Sequence, residues 1–268
     1  LRERVDSLNQ KQRQAYDTIM NTIEQQQNRS NGNCNNELTK DQILTFISGG
    51  AGVGKSKLIQ TITEGIEIMA KKNGNIPNPV VLSAPTGMAA RNIGGATLHS
   101  IFKLPRQTKT NWEYKRATPE QEKTIYQLIG KSILIIVDEV SMVSNRCLAF
   151  VHLRCCDVLA KPYTEPFGGL NVVVLGDMLQ LPPVGLKSEK SAPYCFTKMT
   201  KEIMTKAFPE SASKQFPVFL WEHFDYKELT ENMRQKDDQT YAEMLNEIRV
   251  GKVTEDTLKA LKSRTEKW

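Results

Sequence analysis

Gly49-Gly50-Ala51-Gly52-Val53-Gly54-Lys55-Ser56 is the stretch that decides how this chain folds. It matches the pattern G-x-x-x-x-G-K-S at every fixed position. An apolar run, Ile43 to Ser48, precedes it, and apolar residues recur at helical spacing from Lys55 to Ala70. Strand, glycine loop and helix in this order form the context in which the pattern binds phosphate. The sequence therefore predicts a P-loop fold with a nucleoside triphosphate as ligand.

The residue types of this loop suit that ligand. Backbone N–H groups wrap the phosphates at Gly50, Ala51, Gly52, Val53 and Gly54, and the helix N-terminus adds partial positive charge. Lys55 is placed to reach the β- and γ-phosphates, and the Ser56 hydroxyl is placed to bind Mg²⁺. The alternatives are a simple glycine-rich turn and a dinucleotide site. The Lys-Ser pair disfavours the dinucleotide.

Two carboxylates close a second apolar run. Asp138 and Glu139 follow Ile133–Val137, so they are expected at the carboxyl edge of the sheet, where open α/β folds bind ligands. Asp138 is predicted to hold Mg²⁺. Glu139 is predicted to orient and deprotonate a water that attacks the γ-phosphoryl group. The alternative is a pair of solvated carboxylates.

Two further segments follow apolar strands. Gly176-Asp177-Met178-Leu179-Gln180-Leu181-Pro182-Pro183-Val184 puts the Gln180 amide just past the sheet edge, where it can sense a γ-phosphate. Asn232-Met233-Arg234-Gln235 likewise presents Arg234, a planar donor suited to transition-state charge. A Pro-Pro turn and a surface arginine are the alternatives.

The remaining pattern predicts an α/β fold with a mostly parallel sheet flanked by helices. Strands are predicted at Ile43–Ser48, Val80–Ala84, Ile133–Val137, Leu170–Leu175 and Tyr226–Leu229. Helices are predicted at 8–27, 55–70, 86–92, 145–160, 239–249 and 254–262, and a Gln/Asn-rich loop at 25–37. Segments 104–119 and 185–217 are too long for simple connections and are interpreted as insertions.

Composition limits the classes of protein. With 39% hydrophobic and 25% charged residues the chain is globular, and no apolar run is long enough to cross a membrane. The net charge of +6 suits a polyanionic partner without identifying one. The five cysteines lack C-x-x-C spacing, which favours reduced thiols in an intracellular protein.

Taken together, these motifs resemble those of the Pif (petite integration frequency) DNA helicases of superfamily 1. The resemblance spans about residues 8 to 262, and the motif sequences are also similar to those in helicase domains of Helitron transposons. The segments that carry it, in chain order, are Leu8–Gln12, GGAGVGKS, Ala84–Ala90, Thr97–Ser100, DEVSM, Pro166–Gly169, GDMLQLPPV and NMRQ.

The resemblance implies a RecA-like motor domain that uses ATP and Mg²⁺ to move 5′ to 3′ on single-stranded DNA and to open duplex junctions. Gln12 would read the adenine edge, while Gln180 and Arg234 would contact the γ-phosphate. Pro85, Thr86 and His99 would lie along the DNA path. A packed or capping role is the alternative for His99. Work in DNA repair, recombination and telomere maintenance is implied as well.

The segment 104–119 lies where related helicases insert a small wedge. Basic side chains alternate there with Trp112 and Tyr114, an arrangement that suits backbone tracking and base stacking. The alternative is a solvated loop with two partly buried rings. Trp112 is the residue we assign to DNA binding.

The family's motor needs two RecA-like domains, and residues 1–268 are expected to hold the first only, with the second absent. We therefore expect a fragment of a longer helicase, which acts as a monomer in the nucleus, with the mitochondrion as the alternative. A nucleotide- and DNA-binding module without turnover is the second hypothesis, and a P-loop kinase or signalling NTPase is a third.

Overall fold

A computed structural model of the chain describes residues 1–30, 42–105, 113–185, 193–200, 202, 204, 205, 208, 219–233 and 238–265. Its centre is a six-stranded sheet in the order β3-β2-β4-β5-β1-β6, and every pair of neighbouring strands is parallel. The strands are β1 Leu44–Gly49, β2 Val80–Ala84, β3 Ala96–Thr97, β4 Leu134–Val137, β5 Val172–Gly176 and β6 Asp225–Leu229. The predicted α/β class with a parallel sheet is confirmed.

Helices cover the sheet in the described part of the chain. They are α1 Arg2–Asp6, α2 Gln10–Ser30, α3 Lys55–Lys72, α4 Gly87–Asn92, α5 Leu98–Phe102, α6 Pro119–Ile129, α7 Asn145–Leu159, α8 Gln239–Val250 and α9 Glu255–Thr265. Short 3-10 turns lie at Val140–Met142, Pro166–Gly169 and Leu220–His223.

The central strands are buried on both faces, which explains their continuous apolar runs. On β4, Leu134 and Ile136 pack into one core with helices α2 and α3. Ile135 and Val137, which point the other way, pack into a second core with α5, α6 and α7. The sheet is therefore a layer between two apolar cores, and only its edges are open to a ligand.

The sequence pattern placed the main strands and helices within a few residues of where they lie. It missed α1, β3, α5 and α6, which are short or weakly periodic. The predicted loop at 25–37 is wrong at its start, because α2 continues to Ser30. Glutamine and arginine are good helix formers, so they extend a helix that the buried Ile19 and Ile23 already anchor.

The predicted insertion at 185–217 lies partly outside the described residues. Its described part joins the core: Tyr194 forms an antiparallel bridge with Ser144, and Cys195 and Met199 are buried. Cys147, Cys155, Cys156 and Cys195 are free and buried. In the described residues, no helix is long and apolar enough to cross a membrane.

Candidate nucleotide-binding site

The chemistry-bearing segments meet at the carboxyl edge of the sheet. The phosphate loop follows β1. The next two strands in the sheet, β5 and then β4, end in Gly176 and Val137. Because these strands are parallel and adjacent, Asp138 and Asp177 begin the loops beside the phosphate loop. The predicted grouping of the loop with the carboxylates at one edge is therefore what the fold produces.

Lys55 is the first residue of α3 and lies inside the phosphate loop. Its Nζ donates hydrogen bonds to the carbonyl oxygens of Gly49 (2.7 Å) and Gly50 (3.0 Å). Burial lowers the pKa of Lys55, and the carboxylates of Glu139 and Asp138 oppose that shift. The ammonium group is thus held within the loop by neutral backbone acceptors, which a charged phosphate oxygen can replace.

Asp138 and Glu139 leave β4 in different environments. Asp138 is buried, and its Oδ1 accepts a hydrogen bond of 2.9 Å from the backbone N–H of Glu139. Glu139 is half-buried and has a left-handed backbone, with φ of 53°. Burial raises the pKa of both carboxyl groups, and the charge of Asp138 raises that of Glu139 further. A non-glycine residue in this conformation is costly and is common at functional sites.

Gln12 lies behind the phosphate loop, where it is fully buried. Its Nε2 donates to the carbonyl oxygen of Val53 (2.8 Å), and its Oε1 accepts from the backbone N–H of Asn9 (3.0 Å). A second hydrogen bond joins the same two residues in the other direction, because Asn9 Oδ1 accepts from the backbone N–H of Gln12 (2.9 Å). This side chain supports the loop in the structure, and its reading of adenine stays a prediction.

Gln180 lies at the end of a tight turn that begins at Asp177. The backbone N–H of Gln180 donates to the carbonyl oxygen of Asp177 (2.9 Å), and its Nε2 lies 3.4 Å from Asp177 Oδ2. Asp177 is fully buried and takes two hydrogen bonds from the guanidinium of Arg249. Sequence reasoning missed Arg249, since the last turn of an amphipathic helix carries no motif that marks it.

A cavity of about 630 Å³ opens beside the phosphate loop. Gly50 and Ala51 line it on one side, Gln180 on a second and helix α8 on a third. A nucleotide has room there, next to Asp177, which follows β5.

Mg²⁺ fits the donors that the site offers. In the described residues no group of three or more His, Cys, Asp or Glu side chains could hold a metal ion alone. In phosphate sites Mg²⁺ takes only one or two protein oxygens and completes its shell with phosphate and water. The exposed hydroxyl of Ser56 and the carboxylate of Asp138 are oxygen donors of that kind.

The predicted DNA residues lie at the same sheet edge, farther from the phosphate loop. Ala84 of β2 pairs with Thr97 of β3, so Thr86 and His99 each lie two residues beyond a paired strand end. Thr86 caps α4, and its hydroxyl accepts from the backbone N–H of Ala89 (3.3 Å). Pro85, Thr86 and His99 are half-buried, and burial lowers the pKa of His99.

Trp112 and Arg234 lie outside the described residues. For Tyr114, two residues after Trp112, the structure favours the alternative of a buried ring over base stacking. That ring is buried, and its hydroxyl donates to Asp157 Oδ2 (2.6 Å). An aromatic residue whose ring packs against α7 offers no free face to a base.

A parallel sheet, a complete phosphate loop and acidic strand ends beside it define a P-loop protein of the α/β class. The chain belongs to the PIF1-like helicase family, whose model matches residues 7–259.

Known proteins of this family are similar over most of the chain. The ATP-dependent DNA helicase PIF1 of Emericella nidulans is 32% identical over 217 residues, which is 81% of this chain and 26% of the relative. A crystal structure of Pif1 helicase from Candida albicans has a TM-score of 0.62 at 25% identity and covers 94% of this chain. Pif1 helicase from Bacteroides in complex with ADP-AlF3 and single-stranded DNA has a TM-score of 0.58 at 26% identity and covers 88%.

The lengths differ between this chain and these proteins. The chain matches 46% of the Candida albicans structure and 47% of the Bacteroides structure. It thus spans about a quarter of the curated relative and just under half of the solved chains.

Proposed function

We propose that this chain is the nucleotide-binding half of an ATP-dependent DNA helicase, which hydrolyses ATP to move 5′ to 3′ on single-stranded DNA and to open duplex junctions. The observation that carries the proposal is the position of Asp138, Glu139 and Gln180 on two strand ends beside a complete phosphate loop. Family membership and the matching half of the Bacteroides complex with ADP-AlF3 and single-stranded DNA support it.

Hydrolysis needs a base, and Glu139 is the proposed one. A raised pKa makes its carboxylate a better proton acceptor, and it lies beside Lys55 and Asp138, whose charges influence its titration. Glu139 takes a proton from water, the water oxygen bonds to the γ-phosphorus, and the bond to the β-phosphate oxygen breaks. The products are ADP and inorganic phosphate.

Phosphate charge is neutralised by Lys55, which exchanges its bonds to Gly49 and Gly50 for bonds to the β- and γ-phosphates. Ser56 and Asp138 would hold Mg²⁺, which supplies charge stabilisation on the phosphate oxygens when it is bound. Gln180 and Arg234 are the proposed γ-phosphate contacts, and Gln12 the proposed adenine contact.

DNA is proposed to pass over the ends of β2 and β3. The hydroxyl of Thr86 accepts from Ala89, so its own proton is left for a DNA phosphate oxygen. Strand β2 lies next to β4, and the backbone N–H of Asp138 donates to the carbonyl oxygen of Ser83 (2.9 Å). That contact joins the proposed DNA path at Pro85, Thr86 and His99 to the acidic strand end. Trp112 is proposed as a further DNA contact, and the nucleus is the expected compartment.

The test is ATP turnover by residues 1–268, with and without single-stranded DNA. Wild type is expected to hydrolyse ATP faster with DNA. Lys55→Ala and Glu139→Gln are each expected to lower turnover by about 100-fold or more, the usual contribution of such groups. Lys131→Ala removes an exposed lysine away from the site and serves as the control.

Turnover in Glu139→Gln equal to wild type would contradict the assignment of the base. Binding of ATP and DNA without turnover in either condition would favour the second candidate, a binding module that does not hydrolyse ATP alone. The short coverage of the solved helicases is the observation that favours this candidate. ATP turnover at the same rate with and without single-stranded DNA would contradict the helicase proposal.

A further inference from the structure

Arg249 forms a two-point ion pair with Asp177 at the rim of the phosphate loop. Its Nε lies 2.6 Å from Asp177 Oδ2, and its Nη2 lies 2.8 Å from Oδ1. The two residues are 72 positions apart in the sequence, so the pair connects the last turn of α8 to the strand end of β5. A guanidinium and a carboxylate that meet through two parallel bonds fix each other's orientation as well as their charge.

The carboxylate of Asp177 also shapes the turn that presents Gln180. Its Oδ1 accepts from the backbone N–H of Leu179 (3.2 Å), and its Oδ2 is the oxygen nearest Gln180 Nε2 (3.4 Å). Each oxygen therefore serves Arg249 and one group of the turn at the same time. Any rotation or protonation of this carboxylate changes both contacts of the turn.

Asp177 depends on Arg249 to remain a carboxylate. The side chain is fully buried, and burial alone would raise its pKa. The hydrogen bonds from Arg249 and from the Leu179 amide outweigh burial, so the pKa lies below its usual value. Without the guanidinium, a buried charge would lose its two strongest hydrogen bonds, and the group would take up a proton or turn away.

Arg249 also lies against the phosphate loop itself. A Cβ atom placed on Gly50 would come within 3.3 Å of Arg249 Nε, so the guanidinium covers the start of the loop. Nη1 of Arg249 lies 3.3 Å from Asn246 Oδ1, one turn earlier in α8. The arginine is thus supported from its own helix, and it lines the cavity beside the phosphate loop.

We propose that Arg249 is a positioning residue, which acts through Asp177 to hold the Gln180 amide where it distinguishes ATP from ADP. The inference rests on the proposed function of this site, and it adds helix α8 to the parts that respond to the γ-phosphate. Arg249 itself needs no contact with the nucleotide for this role.

The experiment compares binding of a non-hydrolysable ATP analogue and of ADP to residues 1–268 by calorimetric titration. In Arg249→Lys the charge stays but the two-point contact is lost. We expect its affinity for the analogue to fall by about tenfold, which corresponds to one charge-assisted hydrogen bond, while its affinity for ADP changes by less than about twofold. Arg249→Gln should give the same pattern more strongly.

A double-mutant cycle separates this role from a general structural one. If Arg249 acts through Gln180, Arg249→Lys has no further effect on the ratio of the two affinities once Gln180→Ala is present. Arg4→Gln is the control, because it removes an arginine that pairs with Glu64 (3.2 Å) away from the site. Its ratio of affinities should equal that of wild type.

The changes in affinity for the two nucleotides separate failure of this inference from failure of the proposed function. Equal loss of analogue and ADP binding in Arg249→Lys, or a full additional loss in the Gln180→Ala background, would overturn the inference and leave the proposed function standing. Failure of the wild-type chain to bind either nucleotide would overturn the proposed function, and the inference with it. If Arg249→Gln does not fold, as judged by circular dichroism, Arg249→Lys and the double mutant carry the test.

Discussion

Gln12 and Val53 are joined by a hydrogen bond of 2.8 Å between the side-chain amide of Gln12 and the backbone carbonyl of Val53, across 41 positions of sequence. The bond fastens helix α2 to the phosphate loop from behind. A loop that must keep its N–H groups pointed at phosphate gains from such a contact, because the groups are then aligned before the ligand arrives.

Gln12→Ala is expected to lower the free energy of unfolding by about 1–3 kcal/mol. The change leaves the backbone carbonyl of Val53 and the backbone N–H of Asn9 without the partners that Gln12 now supplies. Thermal unfolding without nucleotide measures the effect. Gln14→Ala, on an exposed position of the same helix, should change stability by less than about 0.5 kcal/mol. Equal effects of the two changes would contradict the supporting role.

Gly54→Ala is expected to destabilise the protein more than Gly74→Ala does. Both glycines have left-handed backbones, with φ of 81° and 100°, so each alanine costs about 1–2 kcal/mol for conformation alone. A Cβ on Gly54 would also strike Nε2 of Gln12, whereas a Cβ on Gly74 meets nothing within 4 Å.

The difference between the two glycine variants therefore measures the clash with Gln12. Chemical denaturation of both variants gives it directly, and the Gly54 variant should also bind ATP more weakly, since its loop is displaced. Equal free energies of unfolding for the two variants would show that the Gln12 side chain moves aside without cost.

The sequence predicted the central fold well because its strands are buried on both faces. A strand such as β4, Leu134–Val137, needs four apolar residues in a row, and that signal is visible without any structure. β3, Ala96–Thr97, has two residues and no pattern of its own. It exists because Ser83 and Ala84 of β2 pair with it. Pairing of this kind is a tertiary effect that periodicity does not reveal.

The residues of the candidate site also fall into those that local sequence patterns predict and those that only tertiary packing brings to the site. Lys55, Ser56, Asp138 and Glu139 belong to local motifs, so sequence spacing alone places them at strand and helix ends. Arg249 reaches the site from a helix far along the chain, and only the packing of α8 on the strand ends brings it there. Tyr114 shows the converse, because a residue in a basic and aromatic segment turns inward once Asp157 offers it a buried acceptor.

Tyr114→Phe is expected to lower the free energy of unfolding by about 1–2 kcal/mol and to leave single-stranded DNA binding unchanged. The ring keeps its packing under Arg154, whose guanidinium lies 5.0 Å from the ring centre, and only the hydrogen bond to Asp157 is lost. Tyr126→Phe, at an exposed position, is the control for loss of a hydroxyl. Weaker DNA binding by Tyr114→Phe with unchanged stability would contradict this interpretation and indicate that Tyr114 contacts DNA.

His152 gives the protein a defined sensitivity to acid. The ring is fully buried in α7, where Nδ1 accepts from the backbone N–H of Phe167 (2.9 Å) and Nε2 lies 3.1 Å from the carbonyl oxygen of Tyr163. One nitrogen accepts and the other donates, so the neutral ring satisfies both partners. Burial lowers the pKa of His152 to about 4, well below the ordinary value of 6.5 for histidine.

The sign of the effect follows from proton binding. Between about pH 6.5 and pH 4 the unfolded chain binds a proton at His152 and the folded chain does not, so stability falls as the pH falls through this window. The loss amounts to about 3 kcal/mol at most. Urea unfolding at a series of pH values should show this slope in wild type and a shallower slope in His152→Gln, which cannot titrate. Parallel slopes for wild type and His152→Gln would mean that other groups cause the acid sensitivity.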